Sequence, residues 1–239
     1  MIYQIRHYLK FLLKSTNQHG VHSPFVYQLV TKCFYDQSNF QEYTKIEDYR
    51  KALLKNKTQL ISHIAKPERI SKFQTKLLFR LVKYLDCNSI LEIGASLGLS
   101  AQAMSLGNPK GQITIIGNCP DISQFSKDNF KQQKLNNIQV GSGDFTKMIQ
   151  DQKSNTYDLV LFNHQHLKEA TLQSFESLLP TIHNDTVFIF NNIYRSKSIT
   201  ESWINISQHP KVTVSIDCYH LGMIFFRSEQ QKERFTIRL

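Results

Sequence analysis

Residues 90–100, ILEIGASLGLS, carry the densest chemical signal in the chain. An apolar run ends at Glu92 and passes through Gly94, Ser96 and Gly98 before a helical pattern begins. Small residues at such a place let a ligand reach the backbone and the N-terminus of the following helix. The spacing is G-x-x-x-G, short of the G-x-G-x-x-G of dinucleotide sites, and Gly94 and Gly98 can equally serve only to turn the chain. Thiol chemistry is not indicated: Cys33, Cys87, Cys119 and Cys218 form no CxxC pair and read as reduced thiols of a cytosolic protein.

The elements around this turn follow from periodicity. Short apolar runs at 89–94, 112–117, 137–143, 157–163 and 185–191 alternate with helical patterns at 98–106, 121–135 and 168–179. Continuous apolar strands separated by helices imply parallel pairing with both faces covered, hence an α/β, doubly wound, mostly parallel sheet. Two further runs, 212–217 and 223–228, predict a C-terminal antiparallel hairpin with its loop around Gly222. Residues 1–88 read instead as a basic N-terminal helical cap region, with helices over 2–14, 25–34, 45–65 and 71–85, and residues 89–239 as the α/β domain. In the first helix Ile2, Ile5, Leu9, Leu12 and Leu13 share a face opposite most of Arg6, His7, Lys10 and Lys14. Such a helix packs on its own domain or lies on a membrane surface.

The 239 residues suit one domain, or one with an appendage, and 41% hydrophobic with 20% charged residues is ordinary globular usage. The net charge of +10 is concentrated early, since residues 1–88 hold 15 Lys+Arg against 6 Asp+Glu. That asymmetry suits a solvated lysine-rich face or a surface for nucleic acid, anionic lipid or an acidic partner. No apolar run reaches the ~18 residues of a transmembrane segment and no signal peptide is evident, so a cytoplasmic location is expected.

LEIGASLGLSA resembles the first motif of class I S-adenosylmethionine (SAM)-dependent methyltransferases, in particular the catechol O-methyltransferase-like group. VHSPFVY (21–27), Cys119-Pro120, residues 202–217 and GMIFF (222–226) further resemble a Bacteroidetes-type family of SAM-dependent methyltransferases. The resemblance implies a Rossmann-like fold and SAM as cofactor. It puts Glu92, Gly94, Ser96 and Gly98 around the methionine part of SAM, Asp144 and Phe145 beside the adenine, and His164 in contact with it. Where relatives carry a ribose-binding carboxylate after the second strand, this chain has Gly117 or Asn118, a neutral partner for the hydroxyls. Where catechol-type enzymes hold Mg²⁺ with carboxylates, it has Asn163 and the pair Asn191-Asn192. Amides do not replace the carboxylates that Mg²⁺ binding normally uses, so no metal is expected.

His166 falls at the position of a catalytic Lys in the catechol-type enzymes. An imidazole of ordinary pKa near ~6.5 suits a general base for an oxygen or nitrogen nucleophile. The leading expectation is therefore metal-independent methyl transfer to a small-molecule acceptor. The alternative is a degenerate methyltransferase fold that binds a ligand or partner without catalysis. Nucleic-acid methylation ranks third, because FNHQ (162–165) lacks the Asn/Asp-Pro-Pro-aromatic signature, and nicotinamide chemistry is weaker still.

Overall fold

Residues 2–56, 71–94, 96–163 and 168–239 are described in a computed structural model. Among the described residues, four N-terminal helices come first: α1 (Ile2–Lys14), α2 (Pro24–Leu29, continued by a π-turn over Val30–Phe34), α3 (Glu42–Lys55) and α4 (Lys72–Leu85). Strands and helices then alternate as β1 (Ser89–Ile93), α5 (Leu99–Gly107), β2 (Gln112–Gly117), α6 (Pro120–Gln132), β3 (Ile138–Ser142), α7 (Phe145–Gln150), β4 (Leu159–Phe162), α8 (Lys168–Leu178), β5 (Val187–Asn191) and α9 (Lys197–Gln208). The chain ends its described course with β6 (Val214–Asp217), β7 (Leu221–Phe225) and β8 (Glu233–Thr236).

These strands form one eight-stranded sheet in the order β3-β2-β1-β4-β5-β7-β6-β8. The pairs from β3 through β5 are parallel, and β7 enters antiparallel between β5 and β6. The period-two alternation of strand side chains assigns each residue to a face. Ile90, Ile113, Leu159, Leu161, Val187, Ile189, Met223 and Phe225 share one core with Leu77, Leu78, Leu81 and Val82 of α4, Ala101 and Met104 of α5, and Val26 and Leu29 of α2. Leu91, Ile93, Val160, Phe162, Phe188, Phe190 and Ile224 face the other way, against Phe175 and Leu178 of α8 and Trp203 and Ile206 of α9. The expected α/β, doubly wound, mostly parallel sheet is thus the observed one, flanked by helices on both faces.

Three details differ from what the sequence predicts. The hairpin turn lies at 218–220, where Tyr219 takes a left-handed φ of 65°, and Gly222 stands inside β7. A Cβ on Gly222 would lie 2.6 Å from the Trp203 ring, so the glycine makes room for the indole. Strand β8, not anticipated from sequence, pairs parallel with β6, and just past it Thr16 bridges to Ile237 while the Tyr35 hydroxyl donates to the Arg238 carbonyl at 2.6 Å. Finally, α1 does not pack through its aliphatic stripe. Its buried residue is Phe11, on the opposite side.

The four cysteines are unpaired. Among the described residues no helix is long and apolar enough to cross a membrane.

Candidate active site

Glu92 shares the parity of Ile90 on β1, so its carboxyl enters the protein interior, and it is fully buried. A buried carboxyl needs donors. Oε1 receives three: Ser96 Oγ at 2.8 Å, Ser100 Oγ at 2.6 Å and Asn163 Nδ2 at 3.1 Å. Oε2 is buried with no partner among the described residues. Burial pushes the Glu92 pKa up, against the pull of its bonds from Ser100, Ser96 and Asn163.

A polar thread continues from there. Asn191 Nδ2 donates to Asn163 Oδ1 at 2.9 Å, and Gln74 Nε2 donates to Asn191 Oδ1 at 3.2 Å. Gln74 is positioned by the capping box that starts α4: Ser71 Oγ accepts from the Gln74 N–H, and Gln74 Oε1 accepts from the Ser71 N–H. One line of side chains therefore crosses the carboxyl ends of β1, β4 and β5 and anchors in the N-terminal helices. Ser100 and Gln74 escaped the sequence reading. The S-x-x-Q spacing of residues 71–74 was the available signal for Gln74.

Both glycines of the turn have positive φ, 117° at Gly94 and 84° at Gly98, where an L side chain is strained. Gly98 is required for a second reason. A Cβ there would lie 2.5 Å from Phe130 Cζ, so the space before Gly98 is filled by the ring from α6. The turn is also clamped on two sides, since Tyr49 of α3 donates its hydroxyl to the Leu97 carbonyl at 2.6 Å and Ser126 of α6 donates to the Ser96 carbonyl at 2.8 Å.

The remaining candidates lie along the same edge of the sheet, because β1 through β5 run parallel. Asn118 follows β2, is exposed, and its amide has no hydrogen-bond partner among the described residues. Asp144, also exposed, caps α7 by accepting from the Lys147 N–H at 3.2 Å through Oδ1. Phe145 is half-buried against the core. His164 and His166 lie outside the described residues. Asn163 ends β4 beside β1, where strand order reverses, the place at which open parallel sheets bind ligands.

At the position where catechol-type enzymes hold Mg²⁺, the oxygen donors of this chain already carry hydrogen bonds. The amide oxygens of Asn163 and Asn191 each accept a hydrogen bond, and the nearby carboxylate Oε1 of Glu92 accepts three. Among the described residues no three His, Cys, Asp or Glu side chains cluster as metal ligands.

Comparison with known proteins agrees with this architecture. A family model described as a methyltransferase domain matches residues 91–193. A search of curated proteins returns no match. Among solved structures, the S-adenosylhomocysteine (SAH)-bound methyltransferase PaMTH1 of Podospora anserina superposes with a TM-score of 0.65 at 11% identity, covering 87% of this chain and 97% of that one. An O-methyltransferase of Bacillus cereus in complex with SAH gives 0.59 at 18% identity, covering 80% and 93%. The O-methyltransferase TomG of Streptomyces achromogenes, involved in tomaymycin synthesis and bound to SAM, gives 0.58 at 14%, covering 80% and 100%. At these identities the likeness is one of fold: the chain has the Rossmann-like methyltransferase fold.

Proposed function

We propose that the protein is a SAM-dependent methyltransferase that methylates an oxygen, or a nitrogen, of a small-molecule acceptor without a metal ion. One observation carries the reading. The strand order β3-β2-β1-β4-β5-β7-β6 puts a turn with two positive-φ glycines at the switch point, on the same edge as the exposed Asn118 amide and Asp144 carboxylate. The methyltransferase-domain match over residues 91–193 and the SAM- and SAH-bound structural neighbours support it.

We assign the contacts of such a cofactor as follows. Asn118 would hold a ribose hydroxyl, Asp144 and Phe145 would flank the adenine, and His164 would contact it. Gly94 and Ser96 would face the methionine part. Glu92 supports the turn from beneath, and its Oε2 has no partner among the described residues. Gly98 acts through the shape of the turn, since Phe130 occupies the space before it. When bound, SAM supplies a methyl group activated on a sulfonium. The chain's share is to align the acceptor, exclude water and remove one proton. His166 is the residue we assign as base, receiving the proton of the acceptor hydroxyl or amine on a ring nitrogen. Residues 1–88 would select the acceptor, and the grip of Tyr49 on the Leu97 carbonyl ties α3 to the turn.

Isothermal titration with SAM tests the reading. The wild type should bind, and Asn118→Asp should bind roughly five-fold tighter, because a carboxylate makes the stronger bond to a hydroxyl. His166→Ala should bind SAM normally while losing turnover, and turnover in the wild type should persist in EDTA. No heat from either the wild type or Asn118→Asp at millimolar SAM would overturn the assignment.

A further inference from the structure

Helix α1 turns its apolar stripe away from the protein. Ile2, Ile5, Leu9 and Leu13 recur at helical spacing and are 83%, 53%, 57% and 88% exposed. The helix is held instead through its other side. The Phe11 ring lies 5.5 Å from Tyr219, the His7 ring stacks on Tyr194 at 5.1 Å, and the Tyr219 hydroxyl donates to the Gln4 carbonyl at 2.8 Å. Four aliphatic side chains on one exposed face are far more than a solvated helix needs.

The charge beside the stripe says what covers it. Arg6, Lys10 and Lys14 follow one another along its flank, and none has an acidic partner among the described residues. The first acidic residue of the chain is Asp36. Lys10 and Lys14 also line a cleft of about 390 Å³ between α1 and α9, together with Arg234 and the Asp217 carboxyl, which the Tyr194 hydroxyl already bonds. A second copy of the chain is a poor occupant, because a two-fold contact would bring these cations together with no carboxylate on α1 to offset them. Nucleic acid would use the cations and leave the aliphatic stripe in water. A surface that is apolar along its middle and cationic along its side matches the boundary of an anionic bilayer, where aliphatic side chains enter the acyl region and Lys and Arg meet the headgroups.

We propose that α1 docks the protein on anionic phospholipid membranes, lying in the plane of the interface. A helix of 13 residues is about 20 Å long, which suits lying on a bilayer and is too short to span one. Tyr8, 44% exposed at the edge of the stripe, suits the headgroup level. Docking of this kind does not depend on methyl transfer.

The test is co-sedimentation of the whole chain with vesicles of phosphatidylcholine alone and of phosphatidylcholine with about 30 mol% phosphatidylglycerol, an anionic lipid. The protein should pellet with the anionic vesicles and stay in the supernatant with the neutral ones, and added salt should weaken the binding. Lys10→Gln with Lys14→Gln should reduce partitioning roughly 25-fold, at about five-fold per cation. Leu9→Gln with Leu13→Gln should reduce it at least about ten-fold. All four side chains are exposed, so both variants should keep the wild-type melting temperature, which is checked alongside. Absence of pelleting with anionic vesicles, equal pelleting with neutral ones, or undiminished pelleting of the leucine variant would overturn the proposal. So would a wild-type dimer in light scattering that the leucine variant converts to monomer, which would assign the face to a second copy.

Discussion

Replacing Glu92 by Gln tests the buried end of the site through stability alone. The carboxyl is fully enclosed, with three donors on Oε1 and, among the described residues, none on Oε2. Burial raises its pKa above the ordinary 4.5. A carboxyl whose folded pKa exceeds its unfolded one binds its proton more tightly in the native state. Its contribution to stability is therefore complete below the unfolded pKa and is lost as pH rises toward the folded pKa. Within that window the loss runs at about 1.4 kcal/mol per pH unit. A chain of 239 residues has an unfolding entropy of about 0.5 kcal/mol/K, so the slope corresponds to roughly 3 °C of Tm per pH unit. Gln keeps an acceptor for Ser96, Ser100 and Asn163 but cannot ionise, and the slope should vanish in the variant. At acid pH the variant buries two unpaired amide protons where the wild type buries one hydroxyl proton, and it should be about 1–2 kcal/mol less stable. That deficit should shrink as pH rises. Calorimetry of both proteins between about pH 4 and 8 measures the difference, in which every other titrating group cancels. A Tm difference that does not change with pH would refute the raised pKa, and with it the account of a buried, half-satisfied carboxyl beneath the turn.

Gly98→Ala should destabilise by about 2–5 kcal/mol, combining the positive φ with the overlap on Phe130. Adding Phe130→Leu should recover the steric share, and a strictly additive double-mutant cycle in urea unfolding would show that the ring is not the obstacle. Tyr194→Phe removes the hydroxyl that donates to Asp217 and leaves that carboxyl with the Tyr219 N–H at 2.8 Å. A loss of about 1.5–3 kcal/mol is expected at neutral pH, falling as pH drops through the Asp217 pKa, which burial raises; a loss that is the same in acid would contradict a charged acceptor.

The parallel strands were legible because they are buried on both faces. QITIIG is the observed β2 to the residue, and the runs at 89–94 and 185–191 differ from β1 and β5 by one or two residues at an end. Strand β8 was not legible, because ERFT has no apolar run and exists as a strand only through pairing with β6. Helix α9 escaped for a similar reason: Ile199, Trp203 and Ile206 are diluted by Ser, Thr and Asn. At Gly98 and Gly222 the sequence displays the glycine but not the partner, since Phe130 and Trp203 reach them only through the tertiary fold. The same limit applies to α1, whose periodicity defines an apolar face without saying which way it points. Of the candidate site, Glu92 was visible as part of a family motif, and the Asn163 and Asn191 amides as departures from the family pattern. Their joining into one thread through Ser100 and Gln74 required the folded arrangement.

The seam where Thr16 meets Ile237 fixes when the molecule can be finished. Tyr35 and Arg238 are 203 residues apart in the chain, and at about 5–20 residues per second a ribosome needs roughly 10–40 s to make what lies between. Throughout that interval the first helices have no β8 edge to join, and the core that will enclose Val26 and Leu29 still lacks Val214, Met223 and Phe225. Closing so long a loop is entropically costly, so the sheet face under α2 is among the last parts of the structure to settle. Pulling Ile237 away frees Thr16 at the same moment, which makes the two ends of the described chain one mechanical unit rather than two loose tails.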